Sequence, residues 1–508
     1  MKRYFLLFYF PFLAFMACSE EENLPEENFE DLNVIYASKA PYFFKASPDC
    51  SINRFQIQNL IDIASDENKL LVIEKDTYCI DNTIYIPSNI EIDFSGATIE
   101  RMISALDSVY GTDTVFDMLA NKDLAGNSNI VLKNLNIEGN YYKKDGSVHE
   151  DWTMHDVHRR FSGILLNNSS DVRLEKITIT ETVNGEQHDI KPAAGLFINN
   201  CENIVCENVN TYDNVGTGVI FNDSNYITIN NSRTENNFGS GIGSSNSNYC
   251  NYTNIQSSSN GLEYYRQRDL GTQNLGGFRY TGISVNGMYS KVNNITTSRS
   301  TGSGLNIGHK NNPSDFAIVD NIHSYENLLE GITVVGSKQI LLSNIHLEKN
   351  ARNNLYIYNG ASKVQVTNAI IHGYYNRNNI VTGGNGIKIA SGGGHSIDNS
   401  LIYDNYKHGV EIFNVSGGVS IGSGTYVYNN GRNTSTGTEF AGILLNNSQN
   451  CYINGAKIFC DQPQGSKTQD YGVRVDVGGN HSLIYAEVWG NLVEDIYQVN
   501  AFNVRIIN

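Results

Sequence analysis

One unit recurs along this chain and limits what it can fold into: a glycine followed by three very short alternating strands. It is clearest over residues 331–350. Gly331 to Val334 reads as a first strand, Gln339 to Leu342 as a second and Ile345 to Leu347 as a third, with Ser343 and Asn344 turning the corner between the last two. Ile332, Val334, Ile340, Leu342, Ile345 and Leu347 fall on one side, the alternation expected of half-buried strands. The same mark returns at Gly163, Gly195, Gly218, Gly241, Gly282, Gly304, Gly331, Asn354, Gly386, Gly409, Gly442 and Gly472. Four of the eleven spacings are 23 residues and one is 22, and the longest is 41. A lone unit cannot bury its apolar side, so successive units must stack as the coils of a solenoid. With parallel strands ~4.8 Å apart, twelve or thirteen coils predict an all-β rod roughly 60 Å long.

This repeat resembles the single-stranded right-handed parallel β-helix of the pectate-lyase-like superfamily, over about residues 50–508. The resemblance implies a column of left-handed asparagines at the corner between second and third strands. The matching positions are Asn134, Asn208, Asn231, Asn254, Asn294, Asn321, Asn344, Asn368 and Asn399, with Lys176 and Gly455 as departures. Asparagine tolerates positive φ, and its amide can bond the next coil. Upstream, residues 51–66 read as a short amphipathic helix with Phe55, Leu60, Ile61 and Ala64 on one face. The run Ile86-Pro87-Ser88-Asn89-Ile90 to Gly96-Ala97-Thr98-Ile99 then resembles the N-terminal start of that superfamily. Such a helix caps a sheet end that would otherwise be open to aggregation.

Lys2-Arg3 and the apolar run Phe5–Ala17 have the form of a secretory signal. Phe15-Met16-Ala17-Cys18 resembles a bacterial lipobox, which implies lipidation of Cys18 and an outer-membrane or cell-surface location, as in Gram-negative lipoproteins. The acidic stretch after it reads as a tether. The expected organisation is a signal peptide at 1–17, a tether at 18–45 and one β-helix domain at 46–508, monomeric and held at the membrane through lipid alone. The formal charge of −17, or −19 without Lys2 and Arg3, argues against nucleic-acid binding. Apart from Cys18, seven cysteines remain. Cys201, Cys206, Cys250, Cys451 and Cys460 fall within coils as small buried thiols, and Cys50 and Cys79 are placed to pair in an exported protein. No Cys-x-x-Cys or histidine cluster suggests zinc.

Long insertions at 139–162, 180–194, 260–281, 373–385, 430–441 and 461–471 all precede the glycine of a coil, so all leave at the corner between third and first strands. Loops repeated on one face of a solenoid commonly form its binding face. In the superfamily resembled here, that corner and the adjoining first sheet hold polysaccharide. The early loops carry Trp152 and Arg159, then Glu186, His188, Asp189 and Lys191, then Tyr265, Arg266, Arg268, Arg279 and Tyr280. Aromatic rings suit sugar faces, and guanidinium forks suit carboxylates. The expected partner is therefore an acidic polysaccharide.

The reading that follows is a polysaccharide lyase acting by β-elimination. It needs a base for the uronate C5 proton, a stabiliser of the resulting charge and an acid for the leaving oxygen. His188, Lys191, Arg266 and Arg268 are candidates for the base or the stabiliser, and Tyr265 for the acid. The resemblance implies Ca²⁺ as an optional cofactor, with Glu186 and Asp189 as its ligands. The outward row of the first sheet is expected to run Leu165, Phe197, Ile220, Gly243, Ser284, Asn306, Thr333, Tyr356, Lys388, Glu411, Leu444, Arg474. Tyr356, Lys388 and Glu411 form a second substrate-binding candidate there. A glycoside hydrolase, which needs two suitably spaced carboxyl groups, a C5-epimerase and a non-catalytic glycan-binding surface protein are the alternatives.

Overall fold

The computed structural model describes residues 33–102, 116–123, 125–140, 161–182, 194–262, 264, 279–377, 380–433, 439–499, 501 and 503–507. Within them the chain winds as a right-handed parallel β-helix, the hand that parallel crossovers adopt. First strands stack into a fifteen-stranded sheet, and second and third strands share a sheet of twenty-three. Twelve of the fifteen first strands begin at the repeat mark. The other three, Ile84–Ile86, Leu119–Asn121 and Glu494–Gln498, lie at the two ends and carry no glycine there, so the stack is longer than a count of marks implies.

The mark has a steric cause. A Cβ on Gly195 would sit 2.6 Å from the carbonyl oxygen of Gly218, and one on Gly218 would sit 2.8 Å from that of Gly241. The coils approach too closely there for a side chain. Inside, the six apolar positions of the Gly331 coil are each at most 1 % exposed. They join one core cluster that extends from Ile35 to Ile484. The five cysteines of the coils are buried and free, and Cys50 and Cys79 form a disulfide.

All nine expected asparagines have φ between 47° and 55°, and Lys176 and Gly455 occupy the same conformation in their coils. Amides bond from coil to coil: Asn254 donates to Asn231 at 2.9 Å and Asn321 to Asn294 at 3.1 Å. This column is exposed. A second column, buried, runs just after the third strands. Asn327 donates to Asn350 at 3.0 Å, Asn350 to Asn354 at 2.8 Å, Asn354 to Asn405 at 2.9 Å and Asn405 to Asn430 at 2.9 Å. Asn354 explains itself here. Its coil turns outward at Gly373 into an antiparallel hairpin, Tyr375–Arg377 with Ile380–Thr382, so it has no asparagine of its own at that point. The side chain standing in place of the repeat glycine fills the gap.

The helix spans Cys50–Glu67, capped by Asp49, whose carboxylate accepts the Ser51 N–H at 3.0 Å. Its buried face is Asn53, Ile57, Leu60, Ile61 and Ala64. Phe55, expected on that face, is 67 % exposed. It lies two residues from Ile57 and so more than half a turn away from the 57/60/61/64 line. The folded part also begins before residue 46. Val34–Tyr36 pairs with Leu70–Val72, and Ile35, Ala37 and Phe44 are buried, so the end of the stretch read as tether adds a strand to the stack.

Candidate functional site

The first sheet presents one polar stretch on its outer face, and strand register assembles it. The outward row follows the expected order throughout. Asn306 pairs with Thr333, Thr333 with Tyr356, Tyr356 with Lys388 and Lys388 with Glu411. A second row precedes the glycines and consists of Ser303, Glu330, Asn353, Asn385 and His408 on the same coils. These positions are polar in five successive coils, a signal present in the sequence that the search for alternating apolar residues passes over.

The two rows interlock. Lys388 Nζ lies 2.9 Å from Glu411 Oε2, and Asn385 donates to the same carboxylate at 2.6 Å. The Asn385 amide also bonds Asn353 at 3.2 Å, and its oxygen accepts the His408 N–H at 3.1 Å. Tyr356 and Tyr358 stack with ring centroids 4.3 Å apart, and Lys388 lies over the Phe413 ring at 5.4 Å.

Glu330 sits at the N-terminal end of this stretch, 5 % exposed, with Ser303 Oγ 3.4 Å from its carboxylate. Burial raises its carboxyl above the usual range, against the opposing pull of the Arg352 and Arg279 guanidiniums. Burial likewise raises the phenols of Tyr356 and Tyr358. Lys388 works against the first, and Glu330 adds to both. Both phenols therefore hold their protons at neutral pH and are proton donors. His408 is partly buried, and the loss of solvent around its ring pushes it down to about 4.

The structure thus brings Tyr356, Lys388 and Glu411 together as expected, and it adds Arg279 through Glu330. Arg279 lies over the Tyr264 ring at 5.1 Å and points Nη1 at the Leu328 carbonyl, 3.5 Å away. That carbonyl belongs to the turn before the Gly331 coil, so the end of the 260–281 insertion leans two coils onward. Tyr280 holds the turn through its backbone, its carbonyl accepting from Gly302 at 2.7 Å. Trp152, Arg159, Glu186, His188, Asp189, Lys191, Tyr265, Arg266, Arg268 and Cys18 lie outside the described residues.

A separate cleft of about 770 Å³ opens at the third-strand ends, lined by Arg299, Glu326, Lys349, His372, Tyr374, Tyr375, Asp404 and Arg432. Its cations are paired, Arg299 with Glu326 at 2.9 Å and Arg432 with Asp404.

No family model matches the chain, and no curated protein matches it. Solved structures do. The A-module of the mannuronan C-5 epimerase AlgE6 from Azotobacter vinelandii is 14 % identical, with 90 % of this chain and 95 % of that one covered and a TM-score of 0.40. The surface adhesin PfbA of Streptococcus pneumoniae is 11 % identical, with 81 % and 89 % covered and a TM-score of 0.44. A double-mutant tailspike protein of E. coli bacteriophage HK620 is 10 % identical, with 94 % and 79 % covered and a TM-score of 0.47. At these identities the comparisons speak to fold alone, and the chain's own strand pairing makes it a right-handed parallel β-helix protein.

Proposed function

We propose that the protein is a polysaccharide-active enzyme that binds an acidic glycan along the first-sheet face and cleaves it by β-elimination. The observation that carries this reading is Lys388, set one strand from the proton-holding phenol of Tyr356 and held by Glu411. Elimination needs a cation at the uronate carboxylate and a donor for the leaving oxygen. Lys388 and Arg352 fill the first role and Tyr356 the second, with Tyr358 offering a ring for the sugar face. The base comes, in this reading, from Arg266 or Arg268, on the insertion whose end leans toward this face. His188 and Lys191, with Trp152 and Arg159, precede earlier coils in the sequence and would, in this reading, add to substrate binding. Ca²⁺ at Glu186 and Asp189 would help neutralise substrate carboxylates, and the roles of Lys388 and Tyr356 do not depend on it. Export and lipidation at Cys18 would place the enzyme at the cell surface.

Hydrolysis fits the same face less well. The carboxyl groups that flank Tyr356 and Lys388, Glu330 and Glu411, are three coils apart. That is ~14 Å at the usual strand spacing, beyond the roughly 9.5 Å upper limit for a hydrolytic pair.

The test is incubation with a panel of uronate polysaccharides, following the ultraviolet absorbance of unsaturated uronate ends. Absorbance that depends on Lys388 supports elimination. New reducing ends without absorbance mean hydrolysis, and altered uronate composition without cleavage means epimerisation. Retention on a glycan matrix with none of these signals means binding alone.

A further inference from the structure

Three histidines and a glutamate converge on the outer face of the third strands. His323, His346 and His372 are 23 and 26 residues apart, one coil each. Stacking therefore sets them on consecutive third strands, with His323 in register with His346 and Glu348 in register with His372. His323 Nε2 lies 3.3 Å from Glu348 Oε1, His346 Nε2 lies 3.1 Å from His372 Nε2, and His372 Nε2 lies 3.8 Å from Glu348 Oε2. One ligand atom each from His323, His346 and Glu348 fit within 4.8 Å of one another. A tetrahedral ion bound at ~2.0–2.1 Å by nitrogen keeps its ligand atoms roughly 3.3 Å apart. The His323–Glu348 and His346–His372 separations lie close to that value.

Ring stacking alone does not account for the arrangement. His372, Tyr403, Tyr428, Phe459 and Trp489 form a face-to-face ladder with centroids 4.5–5.0 Å apart. His323 and His346, stacked on each other at 4.7 Å, stand in the column beside it, which continues through Ile370 and Leu401. There each ring also aims Nε2 at Glu348 or His372.

We propose that His323, His346 and Glu348 bind one divalent transition-metal ion of the zinc class, with His372 beside them as the fourth ligand that closes on it, and so clamp consecutive coils. Three imidazole nitrogens and one carboxylate suit zinc, nickel or copper, whereas Ca²⁺ takes about six to eight oxygens. Lys349 takes Glu348 Oε2 at 3.3 Å, the oxygen nearer His372, and leaves Oε1 toward His323. His372 also lines the 770 Å³ cleft, which gives the ion a way in from solvent. The site is separate from the first-sheet face and stands whether or not the proposed activity does.

The test uses the full chain without a polyhistidine tag, stripped with chelator and titrated with Co²⁺ alone. The expected result is one Co²⁺ per chain with the visible bands of a tetrahedral, nitrogen-rich site, discharged by an equivalent of Zn²⁺ and unaffected by Ca²⁺. His346→Ala and Glu348→Gln should each weaken binding by about tenfold or more, while His481→Ala, at an exposed turn, leaves it intact. Zn²⁺ should raise the melting temperature of the wild type but not of His346→Ala. If His346→Ala melts lower without metal, Glu348→Gln, which keeps the shape of the side chain, carries the comparison. Substoichiometric binding, or binding retained in both variants, overturns the proposal.

Discussion

His408 shows how a single side chain ties the candidate face to the stability of the coil beneath it. Its Nδ1 accepts the Ala441 N–H at 3.0 Å, which requires a neutral ring, and burial holds that ring down to about 4. In the unfolded chain the same ring titrates near ~6.5. Between those values the unfolded state binds the proton and the native state does not. This contribution to stability is therefore fully present above about pH 6.5 and is lost as pH falls toward about 4, by up to about 3 kcal/mol. Urea midpoints measured across that window should fall with pH in the wild type and change less in His408→Gln. Lys388 and Tyr356 carry the functional prediction at this scale. Lys388→Met should lower the elimination rate by about 10²–10³-fold. Tyr356→Phe should lower kcat by about 10²-fold or more with KM little changed, since the ring stays and only the proton donor goes. Initial rates over a range of substrate concentrations separate the two effects.

At the scale of elements, the two asparagine columns look alike in sequence and differ in energy. Asn350 accepts from both the backbone and the amide of Asn327, and it donates to Asn354, all in the interior. Asn350→Leu strands those buried donors and should cost about 1–3 kcal/mol or more. Asn344, in the exposed column, donates to Asp320 at 2.7 Å where water can substitute, so Asn344→Ala should cost under about 1 kcal/mol. Denaturant unfolding of the two variants side by side checks the contrast. The exposed column was legible because a two-residue corner needs a residue tolerant of positive φ, and that requirement is local. The buried column was not, because Asn354 belongs to it only through its bond to Asn405, 51 residues further along the chain and beyond the outward turn at Gly373.

At the scale of the molecule, stability in a stack of coils is close to a sum of neighbour terms, so the ends open first. The disulfide Cys50–Cys79 joins the capping helix to the first coils across 29 residues. Closing a loop of that size is worth about 3–4 kcal/mol. Cys50→Ser should therefore raise hydrogen exchange over residues 50–101 while leaving the central coils protected, which exchange read by mass spectrometry would show. Uniform loss along the rod would mean that the coils unfold as one unit.

The sequence by itself determined the coil. Alternating strands, the glycine column and the asparagine corner each answer to a local steric or burial requirement, and the outward row of the first sheet followed from them by counting. Only the tertiary structure decided which polar residues meet. Glu330 joins Arg279, Arg352 and Tyr356, and His323 joins His346, His372 and Glu348, across gaps of one to three coils. Those meetings depend on the true length of each insertion and on the direction in which each outward turn leaves. Both are properties of the stack rather than of any one stretch of chain.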